Sequence, residues 1–161
     1  MSAVIQTGED GIRPMTLQDL DGVMAIENQI YPYPWTRGIF SDCIRVGYQC
    51  HVYQQNNEIV SYCVLSIGAG EAHVLTVCVR EDYQCQGVGH MMMSHMVKLA
   101  QITGAESILL EVRPSNEKAI RLYQRLGFIE VGVRPDYYPA DDEREDALIM
   151  ARQLRFELAK E

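Results

Sequence analysis

At 161 residues, 47% hydrophobic and 22% charged, the chain suits one domain around one core, a size at which folding hides about two-thirds of the unfolded surface. A formal net charge of −8 argues against a general nucleic-acid binder, which needs a basic stripe to neutralise phosphates. The first thirty residues lack a basic-then-apolar signal pattern and no apolar run approaches a membrane span, so a cytoplasmic protein that engages neither membrane nor nucleic acid is expected.

In chain order, residues 1–10 are polar and read as a loose end, and Ile12-Arg13-Pro14 as a short edge strand. Thr16, with Asp19 three residues on, caps a helix carried by Leu17, Leu20, Val23, Met24 and Ile30. Tyr31-Pro32-Tyr33-Pro34-Trp35 breaks it, because each proline pushes the preceding residue into extended geometry. Thr36 caps a second helix through Ile39, Phe40, Cys43 and Ile44, ending near Gly47. Strands over 49–54 and 59–67 flank the turn Gln55-Asn56-Asn57-Glu58 as a hairpin. Residues 71–79 continue the sheet, and the unbroken apolar run 74–79 predicts burial on both faces.

Next comes Gln84-Cys85-Gln86-Gly87-Val88-Gly89, then a helix over 88–103 whose methionines read as core filler. A strand over 107–112 leads through Pro114 and a Ser115 cap into a helix over 116–126, stopped by Gly127. Strands over 128–133 and 146–151 follow, joined by a loop that includes 134–139 and the acidic 141–143, and 153–161, with apolar spacing at Leu154 and Leu158, read as a short helix or a second loose end. This order predicts a single α/β (α+β) domain: a mixed central sheet of about seven strands with helices on both faces. Ligands of such sheets bind beyond the carboxyl ends of the strands, here where the glycine loop, Glu111 and the helix after Asn116 converge.

Three features there carry possible chemistry. A glycine-containing turn opening a helix presents free backbone N–H groups to an anion, although a tight turn is the commoner use of such glycines. Gly87 and Gly89, without Cβ atoms, would let the backbone approach that anion. Glu111 interrupts the apolar run Ile108-Leu109-Leu110-Glu111-Val112, where desolvation favours a general base, or where it pairs with Arg113 or another surface cation. Tyr123 shares a helix stripe with Asn116, Ala119 and Ile120. It either packs in the core or faces the same cleft as Glu111, making a base and acid pair. Cys43, Cys50, Cys63, Cys78 and Cys85 lack the spacing of a zinc site or redox pair and read as reduced thiols. His51, His73, His90 and His95 lack metal-ligand spacing and read as structural or surface groups, so no metal is expected.

On these residues the chain resembles the GCN5-related N-acetyltransferases. The stretch 84–89 fits their Gln/Arg-x-x-Gly-x-Gly/Ala loop, and Asn116, Tyr123 and Leu126-Gly127-Phe128 fit a second signature. Within that family it is similar to the ribosomal-protein alanine N-acetyltransferases, through Tyr33-Pro34-Trp35-Thr36, Leu110-Glu111-Val112-Arg113, Tyr137-Tyr138-Pro139 and the run 144–150. The resemblance implies acetyl-CoA as cosubstrate, its pyrophosphate on the loop of Gln84, Cys85, Gln86, Gly87, Val88, Gly89 and His90. Its pantetheine arm would lie along Val77, Cys78 and Val79, with a contact from Asn116. It further implies Glu111 as the base, Tyr123 as the acid toward the departing thiolate, and the N-terminal alanine of the eighteenth small-subunit ribosomal protein as acceptor. Tyr33, Trp35, Tyr137 and Tyr138 would line the peptide groove or merely pack their loops. Glu27, Asp136 or Asp141 would attract a basic residue after the alanine, or simply be solvated. Cys85 departs from the family's usual Arg or Lys, which implies weakened acetyl-CoA binding. Lysine side chains or a small amine as acceptor, or a CoA-binding module with little catalysis, remain the alternative readings. The oligomeric state is left open.

Overall fold

The computed structural model of the chain describes residues 9–141 and 144–154. Strands β1 (Gly11–Pro14), β2 (Gln49–Gln55), β3 (Glu58–Gly68), β4 (Glu71–Val79), β5 (Ser107–Val112), β6 (Ile129–Tyr138) and β7 (Glu145–Gln153) form one sheet in the order β1-β2-β3-β4-β5-β7-β6. Every neighbouring pair is antiparallel except β4 and β5, which run parallel because a helix crosses between them. Helices α1 (Leu20–Ile30) and α2 (Arg37–Arg45) cover one face of the sheet, and α3 (Val88–Ile102) and α4 (Glu117–Arg125) the other. The core is accordingly in two halves. Val23, Ile26, Phe40 and Tyr62 fill one, and Met92, Met93, Met96, Leu110 and Phe128 fill the other.

Local signals set most boundaries. Asp19 accepts from the Thr16 N–H at 2.7 Å, closing the predicted capping box over a short 3-10 turn (Leu17–Asp19) before α1. Thr36 Oγ1 accepts from the Ile39 N–H at 3.2 Å as the N-cap of α2. The β2–β3 hairpin turns on Asn56 and Asn57, both left-handed at φ 52° and 64°, a geometry asparagine tolerates well.

Four expectations are corrected. β6 does not stop at Val133 but runs to Tyr138, so Tyr137 and Tyr138 belong to a strand. Pro135 is tolerated because β6 is an edge strand, and the register shifts between Arg134 and Tyr138, where Asp136 turns left-handed at φ 52°. The cap of α4 is Asn116, not Ser115: Asn116 Oδ1 accepts from the Ala119 N–H, while Ser115 Oγ donates to Glu145. The predicted loose tail begins too early, because Gln153 ends β7 and Leu154 is buried. Residues 155–161, like 1–8, lie outside the described residues. Finally, the run 74–79 is not buried on both faces. Only Val74 and Cys78 are buried, and the reason is a split in the sheet.

Candidate active site

The split follows from register. β4 and β5 pair from Glu71↔Ser107 to Val74↔Leu110 and no further. On its other edge β4 carries one extra residue, Leu75, between the pairs Leu65↔Val74 and Val64↔Thr76, and such a bulge bends the strand. Beyond it β4 stays on β3 and parts from β5. Cys78 O accepts from Ser61 Oγ at 2.7 Å and Arg80 N donates to Val60 O, so residues 78 and 80 turn toward β3. By alternation Val77 and Val79 turn their N–H and C=O groups into the opening. A cavity of about 410 Å³ occupies it, lined by Val77, Glu111, Asn116 and Tyr123 and by all four predicted groove aromatics, Tyr33, Trp35, Tyr137 and Tyr138.

At the end of β4 the glycine loop enters α3. Its N-cap is Gly87 at φ 86°, with no side-chain cap, so the first-turn N–H groups of α3 keep their capacity to hold an anion. Cys85 is also left-handed, at φ 61°, and exposed. Alternating left-handed and helical residues turn successive N–H groups into one concavity, the shape of an anion nest. The side chains of Gln84 and Gln86 brace the loop on the Val79 and Asp82 carbonyls, at 3.0 and 3.1 Å. Nearby Arg80 is committed to Glu58 and Asp82. With these side chains engaged, the loop offers an anion chiefly its backbone N–H groups. Packing gives Gly89 a further reason. A Cβ there would lie 3.2 Å from Leu122 Cδ2, so this glycine lets α3 and α4 pack closely, while the space around Gly87 is open.

Glu111 sits on β5 with a side chain only 6% exposed. It pairs with His73 Nε2 at 2.5 Å and Arg134 Nε at 3.3 Å, not with Arg113, which instead holds Glu145 at 3.0 Å. Alternation places Glu111 on the α1/α2 face, opposite Ile108, Leu110 and Val112 of the α3/α4 core. Tyr123 belongs to that α3/α4 core, so the two reach the cavity from opposite faces through the split. Burial pushes the Tyr123 hydroxyl well above the ordinary phenol range, so it keeps its proton.

The aromatics are held as part of the architecture. The Trp35 ring packs on Phe40 at 5.2 Å, and the Trp35 backbone N–H donates to Glu27 Oε2 at 2.8 Å. Tyr62 Oη donates to the other oxygen of Glu27, at 2.5 Å. Glu27 is therefore a buried tie for the 31–35 loop, not a solvated acid. Tyr33 donates to Asp141 at 2.7 Å, and Tyr138 stacks under the Arg113 guanidinium at 4.4 Å. Sequence reasoning missed the contacts of His73 and Arg134 with Glu111. A parallel β4–β5 pairing, read at the right register, would have placed His73 beside Leu109, one step from Glu111.

A second hollow of about 580 Å³ lies between α1 and the β2–β3 hairpin. Its charged lining is internally paired, Arg13 with Asp19 and Arg80 with Glu58, which leaves it without reactive groups. Among the described residues no three His, Cys, Asp or Glu side chains converge as metal ligands, and no helix is long and apolar enough to cross a membrane.

Residues 20–128 match the acetyltransferase (GNAT) family. The chain belongs to that family. It is 34% identical over 140 residues to the [ribosomal protein bS18]-alanine N-acetyltransferase of Escherichia coli strain K12, covering 87% of this chain and 95% of that protein. The crystal structure of the ribosomal-protein-S18-alanine N-acetyltransferase from Escherichia coli superposes with a TM-score of 0.84 at 33% identity, covering 91% of this chain and 94% of that one. The structure of yncA from Salmonella typhimurium with its cofactor acetyl-CoA shares the fold with a TM-score of 0.76 at 19% identity, covering 91% of this chain and 95% of that one. This acetyltransferase thus has the single-domain, seven-stranded mixed sheet expected from its sequence.

Proposed function

We propose that this acetyltransferase acetylates the α-amine of the N-terminal alanine of ribosomal protein bS18 in the cytoplasm, with acetyl-CoA as donor. The observation that carries the reading is that Glu111 and Tyr123 line one cavity, with Val77 of β4, the strand that leads into the glycine loop and the uncapped N-terminus of α3. The acceptor rests on the alanine N-acetyltransferases of Escherichia coli that the chain resembles over most of its length.

Acetyl-CoA, when bound, would supply the acetyl group, with the CoA sulfur as the leaving thiolate. The backbone from Cys85 to His90 holds the pyrophosphate, with Gln84 and Gln86 keeping the loop in shape. Val77 and Val79, on either side of Cys78, offer backbone N–H groups of a strand edge to the extended arm, one of them near the reacting carbonyl, and Asn116 adds a side-chain amide. An α-amine has a pKa of about 8 and is mostly protonated at neutral pH, so it needs a base before it can attack. Glu111 receives the ammonium proton, directly or through water; Tyr123 gives its hydroxyl proton to the sulfur, and the second proton, shed by the nitrogen as the amide forms, returns through water to the Tyr123 oxygen. Tyr33, Trp35, Tyr137 and Tyr138 enclose the first residues of the peptide.

The test is to incubate the protein with acetyl-CoA and a panel of ribosomal-protein N-terminal peptides and locate the acetyl group by mass spectrometry. Acetylation of the α-amine of the bS18 peptide is expected. Transfer only to lysine side chains, or no product from the alanine-led peptide, would overturn the reading.

A further inference from the structure

Glu111 is held at both oxygens: His73 Nε2 lies 2.5 Å from Oε2, and Arg134 Nε 3.3 Å from Oε1. The two partners arrive from opposite directions along the sheet, His73 on β4 and Arg134 on β6, reaching across β7. Glu111 lines the groove cavity and His73 does not, so His73 touches the carboxylate without facing the acceptor.

The terminal torsion of a glutamate is broad, so a carboxylate held at one oxygen still swivels. Contacts at two different oxygens remove that freedom. They occupy two of roughly four lone-pair directions and leave the others for an incoming N–H. The two contacts are unequal. Arg134 is 53% exposed, and an ion pair so placed is screened and entropically costly to hold. His73 is 27% exposed and makes the shorter contact, so it does most of the holding.

We propose that His73 is a positioning residue, which with Arg134 fixes the plane of the Glu111 carboxylate so that its remaining lone pairs meet the α-amine. The inference rests on the reading of Glu111 as base given above. It differs from a role in binding, because nothing places His73 against either substrate.

The experiment compares His73→Ala, His73→Gln, His73→Asn, Glu111→Gln and the His73→Ala/Glu111→Gln double variant by steady-state kinetics, with thermal unfolding alongside. In His73→Ala kcat is expected to fall on the order of tenfold, with both KM values within about twofold, because orientation and not binding is lost. His73→Gln presents an amide N–H at similar reach and is expected to recover at least half of that loss, whereas His73→Asn, one methylene shorter, is not. In the Glu111→Gln background the alanine substitution is expected to cost less than about twofold, the non-additivity of residues acting as one unit. Glu111→Gln at full turnover would remove the base, and the proposal with it. Glu111→Gln impaired but His73→Ala unimpaired would overturn the positioning role alone. An equal loss in both backgrounds would also overturn it, by showing that His73 acts elsewhere. If the alanine variant fails to fold, the Gln and Asn variants carry the same comparison.

Discussion

Glu111 and Cys85 are single residues whose surroundings set what they can do. Glu111 is nearly buried, yet lines the groove and keeps lone pairs beyond those given to His73 and Arg134. Glu111→Gln preserves size and removes the base, so kcat is expected to fall about a hundredfold at pH 7. The gap should narrow toward pH 9.5, where the amine is already neutral; pH–rate profiles of both proteins decide it, and a loss equal at every pH would contradict a base role. Cys85 occupies a left-handed position where the family usually carries a cation. Cys85→Arg adds a charge to a loop proposed above to hold the pyrophosphate through N–H groups alone. Acetyl-CoA is expected to bind about threefold to tenfold tighter at low ionic strength, with the gain shrinking as salt rises. Titration calorimetry at two salt concentrations measures it, and equal affinities throughout would show that the backbone nest suffices.

Between elements, Glu27 ties the end of α1 to β3 and to the aromatic loop, through Tyr62 and the Trp35 N–H. Glu27→Ala strands both donors, and Tyr62 is fully buried, so a loss of about 1–3 kcal/mol in urea unfolding is expected. With the 31–35 loop untied, KM for the peptide should rise more than KM for acetyl-CoA; an unchanged peptide KM would place the loop outside the acceptor site. These ties also mark what could be read from the sequence. β4 begins and ends where its pattern says, at Glu71 and Val79, and Thr36 caps α2, because alternation and capping are local. The extent of β6 was illegible because proline normally ends a strand, and Pro135 is tolerated only at an edge that sheet order alone defines. The partners of Glu111 were illegible for the same reason: His73 and Arg134 are close in the sheet and distant in the chain. The bulge at Leu75 is likewise silent in a run of uninterrupted apolar residues, although it opens the cleft.

Across the molecule, the two faces of the sheet respond differently to acid. His51 on β2 and His95 on α3 stand 3.3 Å apart, and both are held below the ordinary imidazole value. Burial is the larger cause for each, reinforced at His51 by His95 and at His95 by Lys98. In the unfolded chain each takes up its proton near pH 6.5, so below that point the unfolded state binds more protons than the folded one. Stability therefore rises with pH across this window: the contribution is complete above about pH 6.5 and is lost as pH falls toward the lowered folded values. Asp19, which burial alone would raise but which the hydrogen bonds and charge of Arg13 and the hydrogen bonds of Thr16 together hold below its ordinary range, works in the same direction but lower. Its contribution is present above its unfolded value of 3.8 and is lost only as pH falls below that. Between pH 7.5 and 5 the histidines thus act without Asp19. The urea midpoint of the protein is expected to fall over that interval. His95→Gln should fall less steeply, retaining only the desolvated His51. Parallel slopes for the two proteins would assign the acid sensitivity to groups outside this pair.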